Sequence, residues 1–124
     1  MTLRAIRGAT TAETNTREAI LSATRELLLA IVQANQLEVA DIVSIWFTLT
    51  PDLDAAFPAR AARELGWTHT ALLDAQAPRI ANDVPRCIRV MMHCETNRTA
   101  QEIQHIYLRD AKRLRPDWAK EARG

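Results

Sequence analysis

The sequence predicts a single α+β domain, in which a mixed β-sheet packs against one long helix and several short ones. Its 124 residues suffice for one domain and are too few for two. Hydrophobic residues make up 48% of the chain, as in globular proteins and well above the disordered range. Several segments alternate apolar and polar residues as strands do, whereas one long segment has helical spacing. We assign the domain to residues 1–118 and expect residues 119–124 to form a short, flexible tail.

The first half of the chain predicts a strand, a long helix and a second strand. Leu3–Thr10 alternates as a strand, and either Thr14 or Thr16 can cap a helix that continues to about Asn35. The helix is amphipathic because its apolar residues recur every three or four positions: Ile20, Ala23, Leu27, Ala30, Ile31 and Ala34. We expect Asn35 to end it in a left-handed conformation. Ile42–Thr50 is the next strand.

The second half of the chain predicts shorter elements. Pro58 can open a short helix that Gly66 ends, and Trp67–Leu73 follows as a strand. Asp74–Arg86 contains two prolines and no periodicity, so we predict a long loop of the kind that is often functional or mobile. The remaining predictions are a strand at Cys87–Glu95, a helical turn with a capping box at Thr99–Glu102, a strand at His105–Leu108 and a tail at Leu114–Trp118.

Apolar residues occur on both faces of several predicted strands. One long helix can cover only one face of a sheet, and an apolar sheet face needs a second layer. We therefore expect a partner subunit to cover the other face.

The charge balance excludes some classes of partner. Sixteen basic residues face fifteen acidic ones, so the net charge is only +1. Binding to nucleic acid or to an acidic membrane needs a basic excess, and we expect neither partner. No apolar run reaches the roughly 18–20 residues that span a bilayer, and the start of the chain has no apolar signal segment. We expect a cytoplasmic protein.

Sequence motifs for covalent, metal or cofactor chemistry are missing. Cys87 and Cys94 are seven residues apart, hence on opposite faces of one strand, and should not form a disulfide with each other. The three histidines do not have metal-ligand spacing. The chain also has no P-loop, nucleophile elbow or dinucleotide fingerprint. We expect no cofactor and no metal.

Arginine accounts for fourteen of the sixteen basic residues. Two explanations of this excess are equally good. Either the genome is rich in G and C, or some arginines bind carboxylate or phosphate with two parallel hydrogen bonds. Arg7 and Arg89 stand out because each lies within a strand, among apolar residues, where an unpaired charge is costly. Each could reach water at a sheet edge, pair with a carboxylate such as Asp52 or Glu95, or bind an anionic ligand. Tyr107 could donate its hydroxyl there, or only pack at the edge of the sheet.

Six segments, in consistent order and spacing from residue 3 to about 118, resemble the AroH class of chorismate mutases. They are Ile6–Thr11, Thr50–Leu53, Phe57–Arg63, Cys87–Met91, His105–Leu108 and Leu114–Asp117. The resemblance implies a homotrimer of α+β subunits that forms a pseudo-α/β-barrel, with active sites in the clefts between subunits. It also implies the conversion of chorismate to prephenate on the route to phenylalanine and tyrosine.

The resemblance further implies roles for individual residues. Arg89 matches the family's arginine that contacts the ether oxygen and a carboxylate of the substrate. Arg7 and Tyr107 match groups that hold the side-chain carboxylate, and Leu114 and Arg115 match the tail that closes over the site. The positions that match the lining of the pocket are Phe57, Ala59, Arg60, Arg63, Leu72, Leu73 and Asp74.

The implied reaction agrees with the missing motifs. It is a unimolecular [3,3] rearrangement without proton transfer or a covalent intermediate, so it needs no nucleophile, metal or cofactor. The enzyme must hold a flexible dianion in a compact chair and stabilise negative charge that grows on the ether oxygen. A guanidinium suits that task because it stays protonated and can contact two oxygens at once.

One position departs from the family pattern. The family's loop glutamate, which hydrogen-bonds the ring hydroxyl of the substrate, corresponds to Ala77 when the segment is aligned on Cys87 without a gap. Asp74, Gln76 or a backbone group could replace that contact, or the enzyme could work with a weaker one. Alternatively, the site could have lost catalysis and bind a related metabolite. A trimeric enamine/imine deaminase is a distant alternative of related subunit shape, although the segments above are not that family's.

Overall fold

The computed structural model describes residues 1–121 as a five-stranded sheet with three helices. The strands are β1 (Thr2–Thr11), β2 (Ile42–Leu49), β3 (Ala71–Gln76), β4 (Cys87–Thr96) and β5 (Ile106–Tyr107). The helices are α1 (Arg17–Asn35), α2 (Ala59–Glu64) and α3 (Pro116–Glu121), with short 3₁₀ helices at Val39–Asp41 and Arg109–Arg113. The predicted α+β class with a mixed sheet is confirmed.

The sheet has the strand order β3-β2-β4-β1-β5. The central strand β4 runs antiparallel to both β1 and β2, whereas the outer pairs β2–β3 and β1–β5 are parallel. This order places Arg89 on the central strand, Arg7 on its neighbour and Tyr107 at one edge. β3 forms the opposite edge.

Helix α1 covers one face of the sheet. Every second residue of β4 points toward it, and Ile88, Val90 and Met92 are 2% exposed or less. The helix approaches the sheet closely at Gly8, where a Cβ would lie 2.9 Å from Ile31 Cδ1. The buried residues of α1 have the spacing that the sequence predicted, so this face is the hydrophobic core.

The second face of the sheet, called the open face below, carries the intervening residues of the same strands. Leu3, Trp46 and Leu73 on this face remain 57%, 49% and 52% exposed. No second layer covers them within residues 1–121, and the partner subunit expected there stays a prediction.

The predicted strand at Trp67–Leu73 is displaced in the structure. Trp67 is a buried loop residue, and β3 begins at Ala71 because its parallel pairing with β2 begins there. β3 continues to Gln76, so Asp74 belongs to a strand and the long loop spans only residues 77–86.

Two local predictions near the chain's turns were partly wrong. Gln36, not Asn35, adopts the left-handed conformation after α1, with φ of 53°. Asn35 stays helical because its buried side chain donates to the Ile31 carbonyl and accepts from the Gln104 N–H. The reciprocal capping-box hydrogen bonds at Thr99–Glu102 do form, but they close a turn and start no helix.

The end of the described chain is helical. Proline opens α3 at residue 116, and the helix continues to Glu121, past the predicted domain boundary at 118. Residues 122–124, which belong to the predicted flexible tail, lie outside the described residues. The division into a domain and a tail stays a prediction.

Cys87 and Cys94 are both buried and free, as their spacing predicted. Cys94 packs in the core beneath α1, whereas Cys87 packs beside Tyr107. In the described part of the chain, no helix is long and apolar enough to cross a membrane. No three histidine, cysteine or acidic side chains there lie close enough together to hold a metal ion.

Candidate active site

Arg7 and Arg89 are diagonal neighbours on the open face. The antiparallel register of β1 and β4 pairs Arg7 with Met91 and Ala9 with Arg89. Opposite residues of a strand pair share a face, so both guanidinium groups project from the same side of the sheet. On the other side of β4, Thr48 of β2 lies directly opposite Arg89.

Tyr107 joins this pair from the edge strand. The parallel register of β5 and β1 places it beside Ala9, and it is only 3% exposed. Burial raises the pKa of Tyr107, while the positive charges of Arg7, Arg115 and Arg89 act to lower it. The phenol therefore stays protonated at neutral pH and can donate a hydrogen bond.

The C-terminal segment packs beside Tyr107. The guanidinium carbon of Arg115 lies 3.5 Å from the ring centroid of Trp118, and Arg115 Nη2 is 3.0 Å from Asp117 Oδ2. Trp118 in turn stacks on His105, with the ring centroids 3.9 Å apart. Leu114 packs against the hydrophobic cluster that contains Tyr107.

His105 connects this segment to Arg7. Its Nδ1 accepts a hydrogen bond of 2.9 Å from the backbone N–H of Arg7. Burial lowers the pKa of His105, and the charges of Arg115 and Arg7 lower it further. The imidazole is therefore neutral at pH 7, as this hydrogen bond requires.

Arg89 is paired with a carboxylate, but with neither of the two that the sequence suggested. Its Nη2 lies 2.9 Å from Asp83 Oδ1, and each side chain is 21% exposed. Asp52 instead accepts hydrogen bonds from the Thr50 hydroxyl and the Arg86 N–H. Asp83 was not among the carboxylates predicted to pair with Arg89, although it is a carboxylate of the long loop six residues before Arg89.

A second group of predicted site residues lies at the β3 edge. Asp74 Oδ1 accepts a hydrogen bond of 2.9 Å from the N–H of Ala59, the first residue of α2. Burial raises the pKa of Asp74, while this hydrogen bond and the charge of Arg63 act to lower it. Leu72 packs against the core, and Leu73 points to the open face.

The surface beside this edge is partly apolar and partly basic. Phe57 is 67% exposed and lines a cavity of about 350 Å³ together with Asp74 and Gln76. On α2, Arg60 Nε lies 3.5 Å from Glu64 Oε2. Ala77 follows β3, and its N–H donates to the Leu49 carbonyl at 2.7 Å.

The predicted site residues therefore form two groups within one chain. Those near β1, β4 and β5, called the arginine cluster below, are Arg7, Arg89, Tyr107, Leu114 and Arg115. Those near α2 and β3, called the β3-edge group, are Phe57, Ala59, Arg60, Arg63, Leu72, Leu73 and Asp74. In the strand order, β2 separates β3 from the strand of Arg89, and both β2 and β4 separate it from the strand of Arg7, so the two groups lie on different strands.

Comparisons with known proteins agree on one family. The family model for chorismate mutase type I matches residues 3–118. The chorismate mutase AroH of Thermus thermophilus is 45% identical over 116 residues, which cover 93% of this chain and 95% of the relative. That of Bacillus subtilis (strain 168) is 42% identical over 118 residues, covering 94% and 93%. A solved chorismate mutase from Clostridium thermocellum superimposes with a TM-score of 0.88 at 50% identity, covering 90% of this chain and 99% of its own. This chain belongs to the type I chorismate mutase family.

Proposed function

We propose that this protein catalyses the rearrangement of chorismate to prephenate, and that the arginine cluster carries the reaction. The observation that supports this most directly is the strand register, which brings Arg7, Arg89 and Tyr107 to one face of neighbouring strands. Chorismate is a dicarboxylate, and fixed guanidinium groups are the side chains best suited to binding two carboxylates.

Arg89 has the central role because it matches the family's arginine at the ether oxygen of the substrate. As the C–O bond of chorismate breaks, negative charge grows on the ether oxygen, and N–H groups of Arg89 stabilise it. Arg7 and Tyr107 hold the side-chain carboxylate so that the two reacting carbons stay close together in the chair conformation. No side chain exchanges a proton with the substrate in this scheme.

We propose further that each site is completed by a second copy of the chain in a homotrimer. The two groups of site residues lie on different strands of one subunit, and the homotrimer implied by the resemblance would bring them together in a cleft between copies. Leu3, Trp46 and Leu73 leave apolar surface on the open face that a neighbouring copy would bury. In this arrangement the arginine cluster of one copy faces the β3-edge group of the next.

Turnover of chorismate tests the proposed function. The purified protein should deplete chorismate, followed by its absorbance, and produce prephenate. The absence of turnover together with tight binding of a bicyclic transition-state mimic would instead support a binding-only homologue, the alternative that Ala77 leaves open. The full-length similarity to chorismate mutases does not favour the deaminase.

Complementation between variants tests the shared site. Arg89→Ala and Arg63→Ala each damage one of the two groups, so each homotrimer should be impaired. If sites form between copies, mixed trimers made by co-expression should recover about a quarter of the wild-type activity. Sites contained within one chain would give no recovery on mixing. The mass in solution should correspond to three chains.

We also propose a cytoplasmic location and a role in aromatic amino acid biosynthesis. Two free, buried cysteines are usual for proteins of a reducing compartment. Fractionation of cells that express the protein would test the location.

A further inference from the structure

We propose that Asp83 is a positioning residue that orients the guanidinium of Arg89 for the rearrangement. The proposal rests on the proposed function, since it assigns a role to the ion pair at the centre of the same site. Asp83 follows the position that departs from the family pattern, Ala77, by six residues, and it contacts Arg89 directly.

The ion pair uses only part of the guanidinium. Asp83 Oδ1 accepts from Nη2 at 2.9 Å, and among the described contacts neither Nε nor Nη1 of Arg89 has a hydrogen-bond acceptor. A carboxylate that occupied a whole edge of the guanidinium would compete with the substrate. A single contact fixes the plane of the group and leaves the remaining N–H groups for the ether oxygen and a carboxylate.

Asp83 is itself held in place by the loop. Its Oδ1 also accepts from the N–H of Val84 at 2.8 Å, and its own N–H donates to the Ile80 carbonyl at 3.2 Å across a turn. Asn82 in that turn has φ of 66°, a conformation that asparagine tolerates better than most residues. The Val84 N–H therefore holds the carboxylate, and the turn holds the backbone of Asp83.

The residues after Asp83 connect the loop to the sheet. Val84 is buried in the hydrophobic cluster that contains Tyr107 and Cys87. Two residues later, Arg86 donates its N–H to Asp52 at 2.8 Å and its Nε to the Ala12 carbonyl at 3.0 Å. These contacts hold the loop against β1 and the start of β4, so Asp83 approaches Arg89 from a rigid support.

Such a support matters because Arg89 is long and flexible. An arginine on a strand has several accessible rotamers, and an enzyme that orders it before the substrate arrives does not lose that freedom in the transition state. The exposure of only 21% for each partner means that water competes weakly with the pair. Asp83 thus acts through Arg89 and needs no contact with the substrate.

Steady-state kinetics of two Asp83 variants test the proposal. Asp83→Ala should lower kcat about tenfold and change KM by less than about threefold, because misorientation of a group that acts in the transition state affects mainly the chemical step. Asp83→Asn keeps an Oδ1 acceptor and should restore kcat to within about threefold of wild type. Glu26→Ala is the matched control, since it removes one of the two carboxylate partners of Arg109 outside the site and should leave kcat unchanged.

A double-mutant cycle separates positioning from an independent structural role. In an Arg89→Lys background, Asp83→Ala should cause almost no further loss, since the group that it orients is gone. Fully additive losses would overturn the proposal. So would a normal or higher kcat with a lower KM in Asp83→Ala, because that result would make Asp83 a competitor of the substrate.

Binding of a bicyclic dicarboxylate ether that mimics the transition state gives a readout independent of turnover. Calorimetry should show about tenfold weaker binding to Asp83→Ala and nearly normal binding to Asp83→Asn. Equal affinities for Asp83→Ala and the wild type would overturn the role of Asp83. A wild-type protein that fails to turn over chorismate would instead contradict the proposed function, and the affinities would still decide the positioning role.

Discussion

The two faces of the sheet consist of alternate residues of the same strands, yet they differ in burial and in charge. On β4, Ile88, Val90 and Met92 are buried beneath α1, whereas Arg89 and Met91 on the open face stay partly exposed. Burial of each large apolar side chain contributes about 1.5–3 kcal/mol to folding, so the covered face provides the stability. The open face carries Arg7 and Arg89, to which the proposed reaction is assigned.

Replacement of Arg89 should cause the largest loss of activity, and it should leave the stability of the fold nearly unchanged. Arg89→Ala removes the fixed charge from the ether oxygen, and kcat should fall by about 10²–10³, or roughly 3–4 kcal/mol. His93→Ala, on the same face of the same strand, should keep a near-normal rate. Assays of prephenate formation would measure the rates of both variants, and circular dichroism would show whether they are folded. A near-normal rate for Arg89→Ala would contradict the role assigned to Arg89.

Replacement of Met92 should act on the covered face alone. Met92→Ala leaves a cavity beneath α1 and should lower the free energy of unfolding by about 3 kcal/mol. The kcat per folded molecule should stay within about twofold of wild type, since the side chain points away from the site. Urea denaturation and active-site titration measure the two quantities, and a large loss of kcat in the folded fraction would break the separation of the faces.

A smaller loss of activity is expected at Tyr107. This residue contributes both to packing and to the proposed site, because its ring is buried on the open face. Tyr107→Phe keeps the packing and removes only the hydroxyl donor, so kcat/KM should fall about tenfold while the melting temperature changes little. An unchanged kcat/KM would mean that Tyr107 only packs at the sheet edge, the alternative that the sequence left open.

The smallest effect is expected from protonation of His105. Its folded-state pKa lies below the ordinary 6.5, so the unfolded state takes up protons first as the pH falls. The contribution of neutral His105 to the free energy of unfolding is therefore complete above about pH 6.5. It is lost as the pH falls from there through the folded-state pKa. Protonation of Nδ1 would also break the hydrogen bond from the Arg7 N–H.

Thermal unfolding of the wild type and His105→Gln tests this effect. The wild type should lose stability modestly between about pH 7 and pH 5, and the variant should lose less over the same range. Identical pH profiles would show that His105 does not contribute. Turnover per folded molecule should vary little over roughly pH 6–9, because no side chain exchanges a proton with the substrate.

The longest elements were the most predictable from the sequence. The helix from Thr16 and the strands around Arg7 and Arg89 agree with the structure to within a residue or two, because their own periodicity is long. β3 was predicted four residues too early, since its start depends on pairing with β2 and not on its own pattern. The arginine cluster could be anticipated in part, from charges within apolar strands and from family resemblance.

By itself, the sequence determined which side chains share a face, because alternation along a strand and periodicity along a helix are local properties. It thereby placed Arg7 on one face with Leu3 and Ala5, without deciding which face is the core. Only the tertiary structure decided that Asp83 contacts Arg89 and that β3 lies at the opposite edge of the sheet from the strand of Tyr107. The physical reason is that strand order and loop conformation follow from contacts between residues far apart in the chain, which no local pattern records.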